Sequence, residues 1–566
     1  MDNISAASSP VPVRDNDHVQ DEGIPQSPVC GTNYADNAAV PAVPDYTPCM
    51  PCAPARPSKH RVKLQATTTG LYNACVARPV KPAEVKTNPR AREAMDAEWY
   101  RLRNVVRPDG DKGVWDEHLV CEWRKVRREA KLAGKKANVA HVFGIVVEKN
   151  SELPEDDPRR KMKGRAVLGG DNVRDEEGNW AVFRDLGSAP ATMEASRCAD
   201  AYGLLPGHAV EQSDAEQAYT QAWLTGDDTW VRLPRDQWPP EWAGMTDPVC
   251  PCRLALYGHP DAGTDWEDYS QAHVESVGFV AVDGWSSCFW HPEHKLFLVI
   301  YVDDFKMSGP KDKLEMGWNL IQAGLKIDKP TPVGLYLGCN HEESTRTLPD
   351  TGNQVRVMEY NMEDFMRSSV ERYRELTGVQ YMRFASTPFL PEPTTPDFSD
   401  GYAVDDSPCE PADIDAIEKA LKAASENYAL QPYAAKILMK VLYAARYARF
   451  DLLRAVCHLA RYITKWDADC DKRLYRLMCY IHSTYHYRMT GWVGDEAKDI
   501  SPHLFADADF AGDSKDSRST SGMHLTLLGP NTVYPIAGQS KKQGCVSHST
   551  PEAEVVAADH AMRIHG

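Results

Sequence analysis

The chain has 566 residues, enough for roughly three to four domains of ~150 residues each, with 42% hydrophobic and 26% charged residues. Its formal net charge of −17 argues against a simple nucleic-acid coat, although a local basic groove can sit inside an acidic chain. No apolar run reaches the ~18 residues of a membrane span, and the N-terminus carries no basic-apolar-small leader pattern. Fifteen cysteines without a repeating framework exclude a small disulfide scaffold. They favour a reducing, intracellular compartment, cytoplasmic or nuclear.

In chain order, residues 1–80 read as a disordered tail, with ten prolines in the first 60 positions and little apolar periodicity. Cys49 and Cys52 form a lone CxxC there. With no second ligand pair at finger spacing, two free thiols are the simpler reading than half a zinc site. Residues 92–136 read as helical. Between Arg101 and Lys136 stand eleven basic and six acidic residues, a phosphate-binding face or equally a solvated one. Ala140 to Val147 predicts a strand. A second, basic strand follows at Arg159 to Leu168, whose Lys161, Lys163 and Arg165 could lie over a polyphosphate. Residues 204–345 mix short strands and helices, and 355–380 read as a strand then a helix. Residues 387–415 are Pro-rich and acidic, a linker, and 416–490 read as about three helices. A strand-rich segment from about 500 ends in a helix barely begun at Gly566.

The sharpest chemical feature is Lys295-Leu-Phe-Leu-Val-Ile-Tyr-Val-Asp-Asp-Phe-Lys-Met-Ser-Gly309. A buried-type strand runs into Asp303 and Asp304, with no Gly or Asn of the usual hairpin turn. Two carboxylates at the end of a buried strand repel each other and lose hydration, a cost that a hard divalent cation such as Mg2+ removes. Asp214 is the candidate third acid, although an aspartate before a helix-like segment is also an ordinary N-cap.

Here a resemblance enters. Tyr301-Val-Asp-Asp304 resembles the catalytic motif of reverse transcriptases, and the flanking blocks narrow the likeness to copia-type (Ty1/copia) retrotransposon polymerases. Met95-Asp-Ala-Glu-Trp99 is similar to that family's entry helix, and Arg160-Lys-Met-Lys-Gly-Arg165 to its fingers strand. Gln212-Ser-Asp214 with Ala218-Tyr219 resembles the first catalytic block. Arg253 to Gly258 with Trp266 resembles the Leu-Tyr-Gly block, and Gly334 to Gly338 the Phe-Leu-Gly block. Phe505-Ala-Asp-Ala-Asp-Phe-Ala-Gly512, Arg518 to Gly522, Ser540 to Gln543 and Ser549 to Glu554 resemble the start of its ribonuclease H domain.

The resemblance implies an α+β right-hand polymerase and an RNA-directed DNA polymerase activity. Fingers and palm would lie in 81–345, a thumb in 346–386, a helical connection in 416–490 and a partial ribonuclease H-like piece in 500–566. The palm would be an antiparallel sheet backed by helices, the three aspartates on its open face. Asp214, Asp303 and Asp304 would hold two Mg2+ ions. Lys163 and Arg165 would meet the incoming dNTP, and Tyr219 would stand against its sugar. The partners implied are an RNA or DNA template-primer and dNTPs, with no membrane. Asp507 and Glu554 would be the ribonuclease H acids, with Asp509 a surface or turn residue.

Three departures temper this. Asp261 replaces an amide beside the nucleotide pocket and should repel a triphosphate. Leu168-Gly-Gly-Asp171 replaces a basic stretch. The chain ends before the block supplying the next ribonuclease H aspartate, so that domain is expected to be incomplete. The alternative is a decayed or domesticated retroelement relic that binds nucleic acid without polymerising. Asp350-Thr-Gly352 mimics an aspartic-protease triplet but reads as a turn between strands.

Overall fold

The computed structural model describes residues 78–149, 156–158, 160–184, 189–379, 381–390, 430–513 and 515–565. The expected tail up to residue 77, Cys49 and Cys52, positions 391–415 of the expected linker and 416–429 of the expected connection lie outside these residues.

The basic stretch 92–136 is not one helix. The first helix, Pro89–Asn104, starts on a proline, and the Asn88 side chain accepts from the Arg90 and Ala91 N–H groups. After a 3-10 turn and the short strand Cys121–Glu122, a second helix spans Trp123–Ala133 and stops at Gly134 in the left-handed conformation. The strand Ala137–Lys149 is the spine of the first sheet. It pairs antiparallel with Arg78–Val80 and Lys161–Leu168 and parallel with Asp228–Arg232, beyond which lie Pro248–Pro251 and Cys121–Glu122. Pro89–Asn104 packs on this sheet through Ala91, Met95, Trp99 and Leu102. Gly164 is where the two backbones meet: a Cβ there would lie 2.5 Å from the Ala94 carbonyl oxygen.

The second sheet is antiparallel throughout, in the order Thr331–Pro332, His208–Asp214, Asp304–Pro310, Leu296–Tyr301, Cys288–His291, Val280–Ala281. Leu298, Ile300, Phe305 and Met307 pack with Trp266, Leu314, Trp318 and Ile321 of the helices Ala262–Ser276 and Lys311–Gln322. Alternation turns Val299 and Lys306 to the other face, where the helix Met193–Gly203 covers them. Both faces therefore carry helices, and the aspartates sit at the strand ends rather than on an open face.

The third sheet has seven strands, in the order Leu335–Tyr336, Cys339–Thr347, Gln354–Asn361, Met489–Val493, Thr532–Lys542, Thr520–Gly529, Ser501–Ala508. It runs without a break across the expected boundaries at 346, 387, 490 and 500. Its core joins the helices Glu363–Thr377, Gln431–Tyr447, Leu453–Ala460 and Ala468–Ser483. The 500–566 segment is thus not a free-standing sheet but the far edge of a larger one. Asp350 and Thr351 lie in the turn between two of its strands, as the sequence suggests.

Candidate functional site: an acidic turn beneath a basic strand

Tyr301 faces Asp304 across a hairpin, which leaves Val302 and Asp303 as a two-residue turn. Val302 has φ +58°, a left-handed conformation that a β-branched residue adopts only under constraint. The constraint is visible. The Trp266 indole N–H donates to the Val302 carbonyl at 2.7 Å, and the Ala215 N–H donates to the Asp303 carbonyl at 2.7 Å. The neighbouring strand brings Asp214 directly opposite Asp304. Three aspartates distant in sequence thereby meet at one end of the second sheet, Asp214 exposed and Asp303 and Asp304 half-buried.

This proximity has an electrostatic cost. Burial, then the Asp303 and Asp214 carboxylates, push the Asp304 carboxyl up to about 7, with Lys149 pulling weakly the other way. Its own hydrogen bond with Asp214 acts in the same upward direction.

The first sheet brings the basic groups. Lys163 lies opposite Val147 and Arg165 opposite Ile145. Burial, Arg165 and Lys149 lower the Lys163 ammonium to about 8, against the opposing pull of Asp303. The Arg165 guanidinium lies 4.4 Å over the Tyr257 ring, and Tyr257 meets Tyr219 edge-to-face at 4.7 Å. Burial first, then Tyr257 and Asp303, raise the Tyr219 hydroxyl. Lys163, Arg165, Tyr219, Asp214, Asp303 and Asp304 thus share one electrostatic neighbourhood. Tyr257, which links Arg165 to Tyr219, had no role in the sequence reading; its place beside Gly258 was the available signal.

The glycines explain how the sheets approach. The Leu168 N–H donates to the Tyr257 carbonyl at 2.7 Å. A Cβ on Gly258, at φ +90°, would lie 2.1 Å from the Leu168 carbonyl oxygen, and one on Gly170 would lie 2.0 Å from that of Gly258. Gly170, the second glycine of that departure, therefore makes room for the loop of Tyr257 and Gly258. Gly258→Ala should destabilise the protein by about 2 kcal/mol or more, through strained φ and overpacking together. Urea unfolding would show it; an unchanged midpoint would contradict the close approach.

Asp261 belongs to a cluster of acids gathered around one arginine. It is buried, accepts the Arg184 N–H at 3.3 Å and lies 3.7 Å from the Arg184 guanidinium. Arg184 also pairs with Asp265, which accepts the Thr225 hydroxyl at 2.6 Å. Arg184, which the sequence reading did not connect to Asp261, also lies 3.5 Å from Asp268, so one guanidinium serves three carboxylates and the cluster stays net acidic.

The second expected site is looser. Asp507 is exposed on the edge strand Ser501–Ala508, and Glu554 is half-buried on the helix Thr550–His565. The two elements meet through Ala508, Ala553 and Ala557. Alternation turns Asp507 to the face opposite Ala508, and among the described residues no hydrogen bond or ion pair joins it to Glu554. Asp509 accepts the Thr520 N–H and pairs with Arg454 at 3.2 Å. Asp513 is buried between Arg461 and Lys542.

Among the described residues, no three His, Cys, Asp or Glu side chains are already gathered around one point as a metal site. The chemistry of the Asp214, Asp303 and Asp304 donors, all hard oxygens with excess negative charge, nonetheless fits a divalent cation. No described helix is long and apolar enough to cross a membrane.

Over 351 residues, 61% of this chain, the sequence is 25% identical to the retrovirus-related Pol polyprotein from transposon RE1 of Arabidopsis thaliana. It is 24% identical over 350 residues to the corresponding polyprotein from transposon RE2 of the same plant. The match covers 20% of each of these relatives, so the chain spans about a fifth of their length. The chain is accordingly a retrotransposon Pol-derived protein. A 128-residue part, 22% of the chain, is 32% identical to secreted RxLR effector protein 161 of Plasmopara viticola and covers 82% of it. The chain belongs to one family with that protein. No protein-family model matches the chain.

Proposed function

We propose that this chain is the reverse transcriptase portion of a copia-type retroelement, a right-hand RNA-directed DNA polymerase. It would transfer dNTPs to a primer 3′-hydroxyl on an RNA or DNA template. The observation that carries the reading is the register of Asp304 against Asp214 across the constrained Val302-Asp303 turn. The first sheet would serve as fingers and the second as palm. Asp214, Asp303 and Asp304 would hold Mg2+, which when bound supplies hydroxyl activation and neutralises the leaving pyrophosphate. Lys163 and Arg165 would receive the triphosphate as charge-assisted donors. Tyr219, its ring backed by Tyr257, would stand against the sugar and disfavour a 2′-hydroxyl. Arg184 offsets part of the Asp261 charge, although Asp265 and Asp268 share the same guanidinium. Asp507 and Glu554 carry no part of this reading.

The test is primer extension on an RNA template with Mg2+, beside an Asp303→Asn/Asp304→Asn variant. Extension should fall by roughly a thousandfold or more in the variant. Folded protein that binds primer-template in a salt-dependent way, yet extends nothing in either form, would replace this reading with that of a decayed element.

A further inference from the structure

The helix Trp123–Ala133 buries Trp123, Val126 and Ala130 against Ala137, Val139 and Val249. Its other side is a cationic stripe. Arg124, Arg128, Lys131 and Lys135 follow one another at steps of four, three and four residues, which places them along one face and just past its end. All four are exposed, and Lys136 beside them is too. Among the described residues Arg124, Arg128, Lys135 and Lys136 have no ion pair and no side-chain hydrogen bond. Lys131 has only a surface contact with Glu177 at 3.9 Å. Four unanswered cations in a chain of net charge −17 are not explained by local pairing.

The stripe lies outside the acidic site. The helix packs at Val139, whereas Lys163 lies opposite Val147 on the same strand. Eight residues at about 3.3 Å each separate the two by roughly 26 Å. From Arg124 to Lys135 the stripe runs for about 16 Å at helical rise, the length of about five phosphates along one strand.

We propose that this helix is a second nucleic-acid contact, gripping the phosphate backbone of the template about eight nucleotides from the polymerase-type site, with no base reading. The contact rests on the reading of the chain as a template-using polymerase. That reading favours a phosphate backbone over an acidic protein as the occupant. Leu132, 81% exposed beside Lys131, is the only apolar side chain the stripe would bring to the sugars.

The experiment compares the full chain with an Arg124→Gln/Arg128→Gln/Lys131→Gln/Lys135→Gln variant of matching melting temperature. Fluorescence anisotropy on primer-templates from about 50 to about 200 mM salt reads the slope of log affinity against log salt. With a long template overhang the slope should be shallower by about three in the variant, at ~0.7–0.9 for each phosphate that the variant no longer neutralises. With an overhang of two or three nucleotides the slopes should coincide. Equal slopes on the long template overturn the proposal. Equal slopes, with polyglutamate competing against the native chain but not against the variant, overturn it in favour of an acidic protein partner. The polymerase reading is judged apart from this. Extension by both forms with equal slopes would sink only the contact. Slopes that differ while neither form extends a primer would sink only the polymerase.

Discussion

Asp304→Asn is expected to stabilise the protein at pH 8 in the absence of divalent cations, by several degrees in melting temperature. The carboxyl has an ordinary value of 3.8 in an unfolded chain and about 7 in the fold, where burial and the carboxylates of Asp303 and Asp214 oppose its charge. Between those values the folded state holds a proton that the unfolded state has lost. Stability is therefore fully present below about pH 4 and falls as pH rises through about 7. A difference of roughly three units corresponds to about 4 kcal/mol lost by pH 8, an upper figure for a group still in partial contact with water. Asparagine carries no such charge, so the variant should lose much of that pH dependence and overtake the native chain above pH 7. Mg2+ makes the converse test. It should raise the native melting temperature at pH 8 and do little at pH 5, where protons compete for Asp304, and little at either pH in the variant. A native protein indifferent to Mg2+ at pH 8 would sink the metal-binding role of these three acids, whatever the polymerase assay shows.

That cost was partly legible in the sequence. Leu296 to Tyr301 is apolar enough to require burial, and two aspartates at its end stand out for that reason alone. What no local pattern could show is the partner of Asp304, because antiparallel pairing with a strand ninety residues earlier is a tertiary choice. The same limit hid Tyr257 and Arg184, whose roles depend on elements that meet only in the fold. The strand after 355 and the strand-rich segment from about 500 were legible, but Met489–Val493 was not read as a strand, and nothing local marked their membership in one sheet. The boundaries drawn at 346, 387, 490 and 500 followed composition and block resemblance, whereas Gln354–Asn361 pairs directly with Met489–Val493. The helix expected over 92–136 broke because Pro108 to Gly113 makes a turn, with the Gly110 N–H bonded to the Arg107 carbonyl.

Lys306 is the residue whose signal was in plain sight and went unused: a cation in the middle of an otherwise buried strand. Its side chain and that of Asp200 are both fully buried, 2.8 Å apart, and Lys306 also donates to the Ser196 hydroxyl at 2.9 Å. Asp200 accepts the Tyr360 hydroxyl at 2.9 Å, and Tyr360 meets the Tyr534 hydroxyl at 2.7 Å. One buried chain of polar contacts thus runs from the strand of Asp304, through the helix Met193–Gly203, into the third sheet. Burial opposes the Asp200 charge, but Lys306 and then His341 overcome it and hold the carboxyl at about 2. Lys306→Met removes the principal countercharge from a carboxylate that water cannot reach. It should destabilise the protein by about 3–5 kcal/mol at pH 7, and by less in acid, where Asp200 can take up a proton. Asp200→Leu, which strands the ammonium instead, should cost a similar amount. The double variant, in which neither charge remains, should recover most of the loss, because an apolar pair of similar volume needs no countercharge. Urea unfolding of the four proteins gives the coupling energy directly. If the two single losses simply add in the double variant, the ion pair does not tie the strand of Asp304 to the helix beneath it, and the buried polar chain contributes packing alone.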